Sequence, residues 1–391
     1  MEIIDILKRN RLSYNIHHLV KVLFDSSAFL FGNLYIYHEF GFWKMVVFSL
    51  FLTMTMSMGM FYTDNLIRKF KPKKVMIFGL FFDLITFYIF AFQLSEAILI
   101  PLAIICGIGV SITSNTSSVM VGHNLDDKQE GRQMAWWGNV STFISMLSPL
   151  FSLYIIQSKD FSVLYRWILI GHLISVIPLF FYKDDVHQDG ISVQIGLFKE
   201  LPSLVKKYEF KSDVWRLFLN SFSGEGYITA VMVLIFLVFK DNLMQIGWIL
   251  TTSAIISMVI KKVMGKRFDD GHININKPEV YINVISWLGF IFSFSNPLLN
   301  TIFKATADIS NSMVHFPCGT VFYKNIKKNS GSQYAGGVLF LGYLGSVFLY
   351  LPLTIIYLLT NDLKTTLYIM TVILSITPLL KYYIYNKQVS E

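Results

Sequence analysis

Apolar residues in this chain gather into runs of about twenty, set apart by short polar stretches, and the runs recur from one end to the other. As a helix, a run of that length rises roughly 30 Å, the thickness of a bilayer's hydrocarbon. The pattern predicts spans near 15–37, 43–62, 74–94, 97–120, 134–157, 162–182, 214–239, 243–263, 278–295, 298–323, 334–360 and 364–386. These make an all-α integral membrane protein of twelve transmembrane helices. One connection is long and polar, residues 183–213, and it divides the chain into segments 1–182 and 214–391. Inside it Leu197, Leu201, Leu204 and Tyr208 recur at helical spacing with Lys199, Lys206 and Lys207 between them. That is the pattern of a short helix on the membrane surface, limited by Pro202; an unstructured linker is the alternative.

The two segments repeat each other at an offset of about 200 residues. Asp25 in the first span falls against Glu225 in the seventh, and RQMA at 132–135 against SQYA at 332–335. The starts of all six spans map onto those of the second segment within a few residues. Six spans are an even number, so both halves enter from the same side: a parallel repeat of two six-helix bundles, related by a pseudo-two-fold axis along the membrane normal.

Composition narrows the class. Of 391 residues, 54% are hydrophobic and 15% charged, against about 25% charged in soluble domains; soluble-enzyme readings are excluded. The net charge of +8 would suit a nucleic-acid partner were it not so unevenly placed. Of the 33 Lys and Arg, 25 fall on the side of the termini and the central loop, five on the other side, and Lys21, Arg216 and Lys304 within spans. Positive charge collects on the cytoplasmic side, so both termini are expected there, in the cell membrane, with no nucleic acid. Cys106 and Cys318 lie within spans, as packing residues. The first span runs beyond the apolar core of a signal peptide and has no small-residue cleavage site, so it is expected to stay as a span. No glycine-rich phosphate loop, HExxH or GxSxG is present, so no enzyme activity and no cofactor are expected. Energy then comes from an ion gradient or from the substrate's own.

Charges inside spans are the candidate chemistry, because a charge at bilayer depth normally faces a protein interior or a watery cavity. Lys21 with Asp25, and Lys304 with Asp308, are spaced i to i+4, so each pair meets on one helix face; a static ion pair and a coupling site are both open. Glu225 sits in SGEGY with no cation within four residues. A carboxylate in such a place exchanges protons; a hydrogen bond to a neighbouring helix is the alternative. Asp83 and His172 are read as packing residues, as are Trp248 and Trp287. His315 is a candidate because imidazole changes charge near neutrality. Trp136 and Trp137 fit an interfacial belt.

Between spans 2 and 3 stands GMFYTDNLIRKFKPKKVMIFGL, residues 59–80. With twelve spans in two parallel sixes and a long central loop, it resembles motif A of the major facilitator superfamily. The resemblance makes Asp64 the motif aspartate and Arg68, Lys69, Lys73 and Lys74 the basic run. Gly59 lies five residues before Asp64 rather than four, and the second motif glycine is missing near Lys71–Pro72. The second half has GKRFD, with Gly265 and Asp269 at four-residue spacing. The superfamily's span-4 arginine is replaced by Ala103, and of its span-5 antiporter signature only Pro149 remains.

The resemblance implies that spans 1, 4, 7 and 10 line a central cavity. They are also the most polar, with Lys21 and Asp25, Asn115 among serines and threonines, Glu225, and Lys304, Asp308, Asn311 and His315. It further implies that Asp64 and its cations, with Gly265 and Asp269, form a conformational latch. The expected protein is a monomeric secondary transporter of a small molecule, working by alternating access with H+ as coupling ion. Efflux of hydrophobic or cationic compounds is favoured, over an importer of a polar nutrient such as a sugar and over a non-transporting receptor of the same fold.

Overall fold

The computed structural model describes residues 10–124, 130–182, 197–239, 243–270, 277–293, 296–328 and 332–390, and these are almost wholly helical. In order come α1 (Asn10–Phe40), α2 (Phe42–Phe70), α3 (Pro72–Phe92), α4 (Leu99–Asn124), α5 (Glu130–Ser158) and α6 (Phe161–Phe181). A short α7 (Leu197–Leu204) precedes α8 (Tyr208–Gly226), which passes through a π turn at Tyr227–Val231 into α9 (Met232–Phe239). Then follow α10 (Leu243–Asp269), α11 (Lys277–Phe292), α12 (Pro297–Lys328), α13 (Ser332–Thr360) and α14 (Leu363–Ser390).

Nine of the described helical segments are long and apolar enough to cross a membrane: α1 to α6, the continuous run from α8 into α9, α13 and α14. Of the others, α11 has only 16 residues, and α12 carries a polar stretch from Asn300 to Asn311. The side-chain distribution is that of a protein in lipid. In α6, His172 and Ser175 are fully buried, whereas Trp167, Leu173, Ile177 and Phe180 point outward, Phe180 at 66% exposure. A helix in water hides its apolar stripe; this one buries His172 and Ser175 and offers phenylalanine and isoleucine to the surroundings. In a bilayer neither face pays a solvation penalty.

Capping side chains start several helices. Asp160 accepts from the backbone N–H of Val163 at 2.8 Å, Asn296 from Leu298 and Leu299, and Asp362 from Thr365 at 2.8 Å. Each supplies an acceptor to a donor the helix cannot satisfy itself. The hydroxyl of Ser162 and the N–H of Val163 hold the Asp160 carboxyl below its ordinary range. Three described residues have positive φ: Gly41, Asn361 and Lys71, the last at φ 68° and ψ 150°. Glycine and asparagine adopt such angles readily; lysine does not.

By its contacts the chain divides into two compact units, Met1–Leu125 with Ser158–Lys211 and Tyr323–Tyr343, and Asp126–Gln157 with Ser212–Phe322 and Leu344–Glu391. In the first, α2 and α3 both pack on α4, and α1 and α3 both pack on α6. α4 comes close through its glycines. A Cβ on Gly107 would lie 2.7 Å from the Leu52 carbonyl oxygen, and one on Gly109 2.4 Å from Asp83 Oδ1. Small residues at helix contacts are how helices in lipid gain packing. α7 turns Leu204 into the protein and leaves Lys206 and Lys207 exposed just beyond it.

Candidate functional site

Because α1 and α3 both lie against α6, their inward side chains converge. Lys21 of α1 sits 2.7 Å from Asp25 Oδ2, one turn along, and 3.2 Å from Asp83 Oδ2 on α3. Asp25 turns its other oxygen to His172 of α6, 2.8 Å from Nε2, and Nδ1 of that ring lies 3.1 Å from the Ile168 carbonyl oxygen. The four side chains form one continuous polar cluster among apolar helices. The Lys21–Asp25 pair has the spacing read from the sequence. Asp83 and His172, expected to serve packing alone, are its other two members. A buried cation between two carboxylates is favourable only when its hydrogen bonds are complete, and Lys21 donates to both.

The second unit places Glu225 in the last turn of α8, directly before the π turn. Tyr350 of α13 donates a short hydrogen bond to Glu225 Oε1, and Thr229 bonds back to the Glu225 carbonyl oxygen. Among the described residues no cation pairs with this carboxylate. Its two glycines differ. Gly226 is pressed against α14, a Cβ there meeting Leu374 at 2.5 Å, whereas Gly224 faces open space. π turns concentrate at functional sites, and this one lies a single residue beyond the carboxylate.

Lys304 and Asp308 of α12 are ion-paired, and Lys304 is buried at 2% exposure. Its ammonium also lies 5.0 Å from the ring centre of Tyr227 and 5.8 Å from that of Trp287, so aromatic faces stabilise the charge beside its carboxylate. Trp287 thus borders a charged group as well as packing. Arg216 pairs with Asp213, and Lys381 donates to Ser223 at 3.0 Å. Asn311 is half-buried on α12. His315 lies on the same helix; its side chain and that of Asp269 are outside the described residues, and Gly265 stands one turn before Asp269 at the end of α10. Arg267, between those two, bonds Glu279 of α11 at 3.1 Å.

Asp64 is fully buried near the C-terminal end of α2, 2.8 Å from Arg68 one turn on. A Cβ on Gly336, in the second turn of α13, would lie 3.5 Å from Asp64 Cβ. The Asp64 side chain thus packs beside the second turn of α13, with Arg68 as its described cation. Lys73 closes the other end of the loop, donating to the carbonyls of Phe180 and Tyr182 at 3.0 and 2.7 Å and so capping α6. Lys69 is exposed, over the ring of Phe70. At the missing motif glycine stands Lys71, with the positive φ that glycine would adopt.

The polar residues of α4 are largely spoken for. Ser111, Thr113 and Thr116 bond to carbonyls one turn back in their own helix. Ser117 bonds Tyr14 at 2.6 Å, while Ser114 and Ser118 bond Tyr343 and Tyr323. Asn115 is fully buried and donates to the Met60 carbonyl at 3.2 Å, tying α4 to α2 beside Gly336.

Comparisons with known proteins bear on the fold and the family. The human organic anion transporter MFSD10 (TETRAN) superposes with a TM-score of 0.72 at 14% identity, over 97% of this chain and 99% of that one. The fucose:proton symporter FucP of E. coli, solved as a point variant, superposes with a TM-score of 0.66 at 11% identity, over 94% and 97%. At these identities the likeness is one of fold. No curated protein matches in sequence. The profile of the Major Facilitator Superfamily matches residues 22–350, most of the length and nearly all of the clusters above. The chain is a multi-pass membrane protein of the transporter class rather than an enzyme, and it belongs to the Major Facilitator Superfamily.

Proposed function

We propose that the protein is a proton-coupled secondary transporter that moves a small molecule by alternating access, with Glu225 as the residue that carries the coupling proton. The observation behind this is the setting of Glu225. Asp25, Asp83, Asp64, Asp213 and Asp308 each face a cation, whereas the described partner of the Glu225 side chain is the neutral hydroxyl of Tyr350. A protonated carboxyl is far cheaper to hold in such a place than a carboxylate. Glu225 therefore takes a proton when closed from water and gives it up when opened to it. If opening alternates between the two sides, that exchange is directional.

The wider reading is a monomer of twelve spans in two six-helix bundles, 1–182 and 214–391, in the cell membrane with both termini cytoplasmic. Asp64 with its basic run serves as the conformational latch. Efflux of a hydrophobic or cationic compound is the favoured direction, since such a compound competes with the proton for a carboxylate among aromatic rings. An organic anion is the second reading, favoured by Lys304 between Tyr227 and Trp287 and being the cargo class of the human neighbour.

A panel of cationic and anionic compounds, scored by thermal stabilisation of the purified protein, selects the substrate class. Proteoliposomes with and without an imposed pH gradient then compare the parent with Glu225→Gln. The glutamine variant should bind the compound and lose gradient-driven accumulation. Accumulation equal to the parent's would make Glu225 structural and move Asp25 or Asp308 ahead of it.

A further inference from the structure

We propose that Lys21, Asp25, Asp83 and His172 form a second proton-binding site, separate from Glu225, with one exchangeable proton held between His172 Nε2 and Asp25 Oδ1. The geometry of the imidazole carries this. Its Nδ1 points at the Ile168 carbonyl oxygen from 3.1 Å, and a carbonyl only accepts, so Nδ1 bears a hydrogen. A neutral imidazole has one N–H, which that bond uses. Nε2 would then meet the Asp25 carboxylate as acceptor against acceptor, yet the two atoms are 2.8 Å apart. A further proton lies in that contact, on the ring or on the carboxyl.

Charge counting gives the same number. Lys21 contributes one positive charge, and Asp25 and Asp83 two negative ones. With the extra proton the cluster is neutral; without it, one negative charge is left at bilayer depth, an unfavourable state. Other titratable groups face the cluster as well. On α1, His17 turns Nδ1 to the Ser175 carbonyl at 2.7 Å, and His18 lies one turn from Lys21. On α4 stands the thiol of Cys106, and on α6 the Tyr165 hydroxyl donates to the Ala28 carbonyl. The proton leaves only when another cation replaces it or the site opens to water.

A small cavity adjoins the cluster. The Phe87 ring lies 4.4 Å from the imidazole of His172. With Asn33, Thr86, Cys106 and Tyr165 it lines a cavity of about 40 Å³, room for about two waters, with polar groups to hold them. The proton is taken from water and returned to water, and the bonds made and broken are N–H or O–H alone.

The test is spectroscopic and needs no substrate. Protein labelled with 15N-histidine, purified into lipid at neutral pH, should show among its eight histidines one imidazole protonated on both nitrogens. That signal should vanish in His172→Gln. If the proton sits on the carboxyl instead, His172 shows a bare Nε2, and an infrared band of a protonated carboxyl disappears in Asp25→Asn. Should His172→Gln fail to fold, Asp25→Asn makes the assignment, since removing the carboxylate shifts the Nε2 resonance. Glu225→Gln should leave either signature unchanged. A His172 protonated on Nε2 alone, beside an ionised Asp25, would overturn the proposal and leave a static ion-pair cluster. A signature lost in Glu225→Gln would overturn its separateness.

Discussion

Replacing Lys21 by methionine removes the one side chain that donates to both carboxylates of the first cluster. Its contacts are 2.7 Å to Asp25 and 3.2 Å to Asp83; at an effective dielectric near 20, Coulomb's law gives each roughly 5–6 kcal/mol of attraction before desolvation. Desolvation cancels much of that, so the net cost of breaking the cluster is on the order of 3–5 kcal/mol. The asymmetry is more telling than the size. Asp25 keeps His172 when Lys21 is lost, but the described ion pairs give Asp83 no second cation. The pair replacement Lys21→Met with Asp25→Asn should therefore recover little, because Asp83 is left buried without its lysine and must hold either an unpaired charge or a newly bound proton. Adding Asp83→Asn should recover most of the loss. The assay is the thermal unfolding midpoint and the inactivation half-time of the purified protein in detergent, parent and variants side by side. If the double variant is already as stable as the triple, Asp83 is not part of the charge balance and the reasoning fails.

Lys71→Gly should stabilise the protein by about 1–2 kcal/mol, since a positive φ with extended ψ costs a residue with a Cβ about 1–3 kcal/mol and glycine returns part of that in chain entropy. Lys71→Ala, which removes the charge but keeps the strain, should not; equal midpoints for the two would refute it. Gly345→Ala should destabilise by roughly 1–3 kcal/mol, its Cβ landing 2.0 Å from the Phe218 carbonyl oxygen. Gly224→Ala, in open space, should be neutral or gain up to about 1 kcal/mol in helix propensity, and the same melting assay compares them. Asp64→Asn should insert normally but change the transport rate, because a bias of about 1–2 kcal/mol alters conformational populations roughly 5–30-fold; parental flux would sink the latch reading.

Local spacing made part of the site legible. Lys21 with Asp25 and Lys304 with Asp308 lie one turn apart on a single helix, so their pairing follows from 3.6 residues per turn. Asp83 and His172 join the first pair from two other helices, and which faces meet depends on how α1 and α3 seat on α6. No one-helix pattern encodes that register, and a lone Asp or His in a span looks alike whether it packs or bonds. Nor does spacing along α12 place Tyr227 and Trp287 beside Lys304, since both come from other helices. The serines and threonines of α4 show the opposite limit. Their density is plain in the sequence, but a hydroxyl that bonds its own helix and one that lines a cavity are spelled identically. The departure at Lys71 was visible as a missing glycine; that the turn keeps the glycine's backbone angles is knowledge only the fold holds.

A π turn stores one residue more than the α-helix it interrupts. If the turn after Glu225 slides along the chain by one peptide, the residues it passes rotate by about 100° and shift by about 1.5 Å while both ends of the segment stay fixed. Glu225 borders that slack on one side and Thr229, bonded to its carbonyl, lies inside it. The carboxylate therefore has a way to be re-aimed, toward Tyr350 or away from it, that requires no hinge and no movement of a whole helix.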